Sequence, residues 1–529
     1  MTPLDLLLRD PGFTPGQKHL DPLLDLLATG DDDLSLQAER ALLRGPPLAP
    51  RVLSRLPLAR PPARARLVRL FGRLASLPGA DVGSFFPALV ALLDDPDLPS
   101  SRQAALALGR LPGANPEDAL LARFRPDAPL PLLRALTEAL GKVGGPASLA
   151  FLSRQRSEDP ELTRLLDRAR VMLTRSERPD AVLFDLRAPA PGRVPVVLRC
   201  KRGLEAILLR EARSVLARGE VQGPGLLRGD FSGPLIRLAS LRVALSFGFP
   251  LPPSPCSPGQ EAAALLAALR GEPARALLAS WGERPARFRV AWRDGGHRRA
   301  QVWQAARLAL DSGGDLINDP SRPSWEILAW ERDGALWTEL IPRALPEIRF
   351  AYREDDVPAA SHPTVAAALA LVGGVREDDV VWDPFTGSGL ELCERALLGP
   401  YAEIHGSDRD PAALDVARRN LENARVLPRS LAAADARAHR IPGLSLVLSN
   451  PPLGHRVARR EQLAPLLESV VASVAGQFAR GGRLVWLSPF GERTAAAGER
   501  AGLRAERHGR VDLGGVEAEL QVLHRPSRS

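Results

Sequence analysis

The chain has 529 residues, 45% of them hydrophobic and 25% charged, which marks a globular protein too long for one ordinary core, with two to four domains expected. Its net charge of +8 permits a nucleic-acid partner, but only Lys18, Lys142 and Lys201 are lysines, so the excess is arginine that a biased genome also produces. No run of about 18 apolar residues, no basic leader before an apolar core and no paired spacing among Cys200, Cys256 and Cys393 occur, so a cytoplasmic protein with no membrane contact and no metal is expected.

From residue 1 to about 175 the apolar spacing is helical throughout. Leu70-Phe-Gly72-Arg-Leu74, Ala107-Leu-Gly109-Arg-Leu111 and Ala139-Leu-Gly141-Lys-Val143 repeat one pattern, their glycines 37 and 32 positions apart. Each unit adds a second apolar segment, at 87–93, 118–124 and 148–152, and a turn with Asp95, Asp127 or Asp159. Helix pairs at this period resemble HEAT-type repeats, in which each pair buries its apolar face on its neighbour. An irregular helical bundle is the alternative. Residues 1–175 hold no catalytic constellation, and their expected role is a curved surface for a protein partner or for nucleic acid.

Residues 176–192 lose the helical period, and Arg187-Ala-Pro-Ala-Pro191-Gly192 reads as a linker. Beyond it, 193–345 reads as α+β: a strand at 194–200, a helix at 204–217, strands over 225–236, a Pro-rich stretch at 250–258, a strand at 287–292 and a helix at 302–310. Lys201, Arg202, Arg298 and Arg299 are candidate substrate contacts, with solvated surface charge as the alternative. Arg199-Cys-Lys-Arg-Gly203-Leu-Glu205, Leu316-Ile-Asn-Asp319-Pro320 and Trp325-Glu326-Ile327 resemble the THUMP module and the small ferredoxin-like companion that precede RNA methyltransferase domains. Arg349-Phe-Ala-Tyr352-Arg353 and Ser361-His362-Pro363-Thr364 resemble the join those enzymes make to their catalytic core.

The last stretch, 346–529, carries the chemistry. Asp379-Val-Val-Trp-Asp383-Pro-Phe-Thr-Gly387-Ser-Gly389 reads as a strand, a tight glycine loop and a helix start, where free backbone N–H groups face a polar, partly anionic ligand. A second apolar run ends at Asp408, 21 positions after Gly387, close to the offset of a ribose-binding acid. A third ends near Asp435, and a fourth runs into Ser449-Asn450-Pro451-Pro452-Leu453-Gly454. A strand at 482–488 and a closing antiparallel pair, 511–515 with 517–524, complete the pattern.

These residues resemble the class I S-adenosylmethionine-dependent methyltransferases, and among them the amino-group methylases with an Asn-Pro-Pro-aromatic motif. The resemblance implies a Rossmann-like domain whose Asp383, Pro384, Phe385, Thr386, Gly387, Gly389, Asp408, Arg409, Asp435 and Ala436 hold S-adenosylmethionine. It makes Asn450, Pro451, Pro452 and Leu453 the catalytic loop. An exocyclic base amine is a poor nucleophile, and the Asn450 oxygen with the Pro451 carbonyl can accept its two protons and orient it. Leu453 departs from the family, which has an aromatic residue there to stack on the base. Arg456, Arg459 and Arg460 follow as candidate phosphate contacts.

The chain therefore reads as multidomain α and α/β: helical repeats, a THUMP-like α+β region, and a class I methyltransferase. The leading function is transfer of a methyl group to the N2 amine of a guanosine in tRNA or rRNA. Methylation of an amine in DNA or of a protein glutamine is the second reading. A scaffold that only binds RNA or cofactor is the third, supported by Leu453.

Overall fold

The structure is a computed structural model that describes every residue except 1–3, 9, 11, 79, 112, 177–183, 283, 312–314, 359, 454–459 and 527–529. The chain divides into two compact units, Met1–Ala181 with Arg298–Asp319, and Val182–His297 with Pro320–Ser529.

In the first unit the repeated glycines mark where helices touch. Ala63–Ala75, Leu98–Leu108, Leu130–Val143 and Pro160–Ser176 pack in succession. A Cβ added to Gly72 would lie 2.3 Å from the Ala107 Cβ, one on Gly109 2.7 Å from the Ala139 Cα, and one on Gly141 2.8 Å from the Ala169 Cβ. Each glycine is thus required by the approach of the next helix, whose alanine stands two positions before that helix's own glycine at Gly109 and Gly141. Ion pairs also join successive segments of this unit. Arg64 binds Asp95, Arg134 binds Asp159, and the buried Glu39 receives both Arg69 and Arg73. Asp31, Asp97 and Asp159 cap helix starts by accepting from the free backbone N–H of Leu34, Ser100 and Leu162.

Segment 298–319, expected inside the α+β region, belongs to this unit instead. Its helix Arg299–Leu310 lies against Pro160–Ser176, where Arg168 and Arg175 stand over the Trp303 ring at 5.5 and 5.1 Å and Arg307 pairs with Asp167 at 3.3 Å. A partner about 140 positions away leaves no mark on local periodicity.

The second unit holds two sheets. In the first, Leu216–Gly223, Leu226–Phe231, Val194–Arg199, Ser246–Pro250, Ala335–Pro342, Trp325–Arg332 and Ala286–Trp292 lie side by side, antiparallel except for the last pair. The helix expected at 204–217 is Glu205–Ala212, because the residues from Leu216 turn away to form a hairpin around Gly225. That hairpin pairing outweighs the helical pattern of the local sequence.

The other sheet contains, in chain order, Val380–Asp383, Glu403–Asp408, Ser430–Ala433, Leu446–Ser449, Arg483–Ser488, Arg504–Asp512 and Glu517–His524. Their order in space is third, second, first, fourth, fifth, seventh, sixth. The first five are parallel, and the seventh runs antiparallel between the fifth and the sixth. The sixth begins at Arg504, earlier than the expected 511, because its pairing with the seventh continues through an irregularity between Arg507 and Arg510. The order reverses between the first and fourth strands, so a crevice opens at their C-terminal ends.

Two contacts lock this sheet to the neighbouring α+β region. Glu394, on the helix Leu390–Leu398, accepts from Arg242 Nε at 2.6 Å and Nη2 at 2.7 Å, and from the Tyr352 hydroxyl. The loop at Lys201 to Gly203 lies on the sixth strand, where Asp512 donates its backbone N–H to the Arg202 carbonyl at 3.0 Å. Gly203 has φ +93, and a Cβ there would meet the Arg510 carbonyl oxygen at 2.0 Å, so no other residue fits.

Candidate active site

The crevice is a cavity of about 960 Å³ at the ends of the first four strands of the second sheet. Pro384, Phe385, Thr386 and Gly387 form one wall, Asp408 and Arg409 a second, Asp435 and Ala436 a third, and Asn450 to Leu453 a fourth. Four separate strand ends thus bring together residues that lie up to about 70 positions apart in the chain.

Gly387 adopts φ +49, and its N–H donates to Asp408 Oδ2 at 3.0 Å. Asp408 Oδ1 accepts from the Asp410 N–H at 3.0 Å, so each oxygen keeps a lone pair for a ligand hydroxyl. Asp435 is held by Arg437 and by Arg409, and their hydrogen bonds keep its carboxyl well below the usual range.

Two expected cofactor residues stand elsewhere. Asp383 lies beneath the cavity, completely buried, with Oδ1 accepting from Ser449 Oγ at 2.6 Å and from the Phe385 N–H at 3.0 Å. Its Oδ2 is unpartnered, and burial together with the charge of Glu391 raises its pKa well above the ordinary value. Asp383 therefore ties the first strand to the fourth and shapes the loop from below. Gly389 does not line the cavity either: it adopts φ +80, and a Cβ there would crowd the Ala417 Cβ at 3.1 Å, so backbone conformation and helix packing together favour this glycine.

Asn450 lines the cavity, and its amide is split between two environments. Nδ2 donates to Ser361 Oγ at 2.9 Å, whereas Oδ1 is buried and has no partner. A buried amide oxygen left without a donor costs free energy on the order of 1–3 kcal/mol, which a ligand N–H recovers. Leu453 lines both this cavity and a second recess of about 510 Å³, which Phe490 also lines.

The basic candidates separate. Lys201 lines the cavity. Arg202 does not line it and pairs with Asp512. Arg298 and Arg299 belong to the helical unit, at the start of Arg299–Leu310, and so do not share a compact unit with the crevice. Arg456 lies outside the described residues.

Three residues that carry site geometry were not singled out from the sequence as site residues: Ser361, His362 and Glu391 all line the cavity. Ser361 and His362 stand in the stretch that resembles the join to the catalytic core, and Glu391 follows the glycine loop by two positions. His362 is held neutral, because burial and the nearby Lys201, Arg353 and Arg349 charges lower its pKa to about 4.

Residues 351–519 match the family model described as UPF0020: RMKL-like, methyltransferase domain. This stretch is a methyltransferase domain. The chain is 32% identical over 170 residues to a tRNA (guanine(6)-N2)-methyltransferase of Thermus thermophilus, a match covering 31% of this chain and 49% of that protein. It is 26% identical over 134 residues to a tRNA (guanine(10)-N2)-dimethyltransferase of Methanothermobacter thermautotrophicus, covering 25% of this chain and 39% of that one. The chain thus spans half or less of the length of these relatives. The crystal structure of TrmN from Thermus thermophilus aligns with a TM-score of 0.50 at 24% identity, over 63% of this chain and 99% of that chain. Its likeness in fold extends well past the methyltransferase domain.

Proposed function

We propose that the chain is a cytoplasmic, S-adenosylmethionine-dependent methyltransferase acting on the N2 amine of a guanosine in structured RNA, most readily tRNA. The observation that carries this reading is the buried, unpartnered Asn450 Oδ1 in the wall of the cofactor cavity. An amine donor is the complement of that oxygen, and the similarity to tRNA guanine-N2 methyltransferases supports guanine as its source.

The residues present fit S-adenosylmethionine. The Gly387 backbone is open towards the cavity, Asp408 offers acceptors for ribose hydroxyls, and the volume suits a nucleoside-sized ligand together with a base. When bound, the cofactor supplies an electrophilic methyl on sulfur. Asn450 Oδ1 accepts one amine proton and the Pro451 carbonyl the other, which holds the nitrogen lone pair in line and raises its electron density. Leu453 gives the base apolar contact without a π face.

In this reading the α+β region is a THUMP-like platform that docks the RNA while the target base is extruded into the cavity. The helical unit, read as HEAT-like repeats, offers a surface to a protein partner or to more RNA. Loss of N2-methylguanosine from tRNA or rRNA on deletion of the gene, measured by nucleoside mass spectrometry, is the expected result. An unchanged nucleoside profile would refute the assignment. In vitro, Asn450→Ala should lower single-turnover methylation by ~10²–10³ while cofactor affinity stays near wild type, and full activity in that variant would remove Asn450 from the mechanism.

A further inference from the structure

We propose that Ser361 and Glu391 are positioning residues that determine which end of the Asn450 amide meets the substrate. The inference rests on the reading of Asn450 as the acceptor of an amine proton. Asn450 Nδ2 donates to Ser361 Oγ at 2.9 Å, and Ser361 Oγ donates in turn to Glu391 Oε1. A serine hydroxyl has one proton to give. An ionised Glu391 is an acceptor only, so it takes that proton, and Ser361 can then only accept from Asn450. The amide is forced to turn its nitrogen to Ser361 and its oxygen to the cavity. Without this chain an asparagine amide has nearly the same shape in either orientation.

The anchor of the chain is rigid. Glu391 is 3% exposed and occupies the first turn of Leu390–Leu398, the helix whose start is packed on Ala417 at Gly389 and whose Glu394 is held by Arg242 and Tyr352. Neither Ser361 nor Glu391 meets the reacting atoms on this account. Both act through Asn450.

A proton on Glu391 lets the chain reverse, because the carboxylic acid gains a donor that Ser361 can accept while it keeps an acceptor for the serine proton. In the reversed arrangement the serine proton passes to Asn450, and the amide turns to place Oδ1 on Ser361 and its NH₂ towards the cavity. Two amine-type donors then face one another, so the acceptor for the substrate is no longer fixed in place. The titratable groups that act on Glu391 are Asp383 on the first strand and Cys393 and Glu394 on its own helix, the last paired with Arg242, while Lys201, Arg353, His362 and Asp408 line the same cavity. Burial and the Glu394 charge hold the Glu391 carboxyl up at about 7, so the reversal falls within an accessible range.

Three variants of the full chain test this: Ser361→Ala, Ser361→Thr and Glu391→Gln. The readouts are single-turnover methylation between about pH 6 and pH 9, cofactor affinity by calorimetry, and the exchange protection of the Asn450 side-chain NH₂ by NMR. Ser361→Ala should lose about tenfold or more in turnover with unchanged cofactor affinity, and Ser361→Thr should recover most of it. The wild-type rate should fall as pH drops through about 7, and Glu391→Gln should lack that limb. The NH₂ protection, read without RNA or cofactor, should be present in the wild type at pH 8 and lost in Ser361→Ala. Wild-type turnover in Ser361→Ala, or the same acid limb in Glu391→Gln, overturns the inference. A wild type that methylates no RNA defeats the proposed function instead, and the NH₂ protection still decides whether the chain sets the amide.

Discussion

Replacing Glu394 by alanine should cost the second unit about 3 kcal/mol, and the structure shows where that figure comes from. The Glu394 carboxylate is fully buried and accepts both nitrogens of the Arg242 fork as well as the Tyr352 hydroxyl. Removing one member of such a buried pair typically costs ~3–5 kcal/mol, since the surviving charge stays out of water uncompensated. Arg242 keeps the Arg349 carbonyl at 2.7 Å, the Phe350 ring at 5.0 Å and some contact with solvent, which places the expected loss at the lower end. Glu211 cannot replace Glu394, because it already accepts from the Arg242 and Val243 N–H groups and its own burial raises its pKa. The double variant Arg242→Met with Glu394→Leu should recover much of the loss, because two apolar side chains carry no desolvation cost there. Tryptophan fluorescence in a denaturant titration follows Trp382 and Trp486, both wholly buried in the catalytic sheet. A single variant that loses under about 1 kcal/mol, or a double variant less stable than the single, would refute the argument.

Asp408→Ala should weaken S-adenosylmethionine binding by roughly 10- to 150-fold, because hydrogen bonds to a charged group are worth ~1.5–3 kcal/mol, and unchanged affinity in calorimetry would remove Asp408 from the site. Acid stability should depend on Asp379, which is fully buried and accepts from Arg395 at 2.9 Å, from Arg483 at 2.8 Å and from Ser445 at 3.0 Å. Burial pushes its pKa up, but these hydrogen bonds outweigh burial and hold it at about 2 against an ordinary 3.8. The lowered value means that its contribution, about 2 kcal/mol, is fully present above the ordinary pKa and is lost as pH falls through about 2. Asp379→Asn should flatten that acid limb in denaturant titrations between about pH 6 and pH 2, and an unchanged limb would count against the pairing.

The parallel part of the catalytic sheet was legible because each strand is a short apolar run ended by a chemically marked loop: the glycine turn after Asp383, Asp408, and Asn450-Pro451-Pro452. The helices of the first unit were legible because the apolar spacing keeps a helical period, and Gly72, Gly109 and Gly141 each stand where another helix approaches. What local pattern could not show is pairing at long range. Leu216 and Ala217 continue a helical pattern in the sequence, but their hairpin partner at Leu226–Phe231 claims them. Helix 299–310 carries no sign that it packs on Pro160–Ser176.

The same distinction governs the site. Gly389 and Asp383 look like ligand contacts because they share a motif with Gly387, yet one answers to Ala417 and the other to Ser449, residues far away in the chain. Motif membership reports that a residue is constrained and leaves open by what. Asn450 shows the converse. Its place in the chain suggests an acceptor of amine protons, but an amide offers an oxygen and an NH₂ of almost equal size, and sequence cannot say which one faces the cavity. That is settled only where a hydroxyl with a single proton stands between the amide and a buried carboxylate. The chemistry expected of Asn450 therefore depends on Ser361, 89 positions earlier, and on Glu391, 59 positions earlier; Glu391 meets it because the sheet order brings the first and fourth strands side by side, and Ser361 because the helix Pro363–Gly373 packs on Leu390–Leu398 and on the fourth strand.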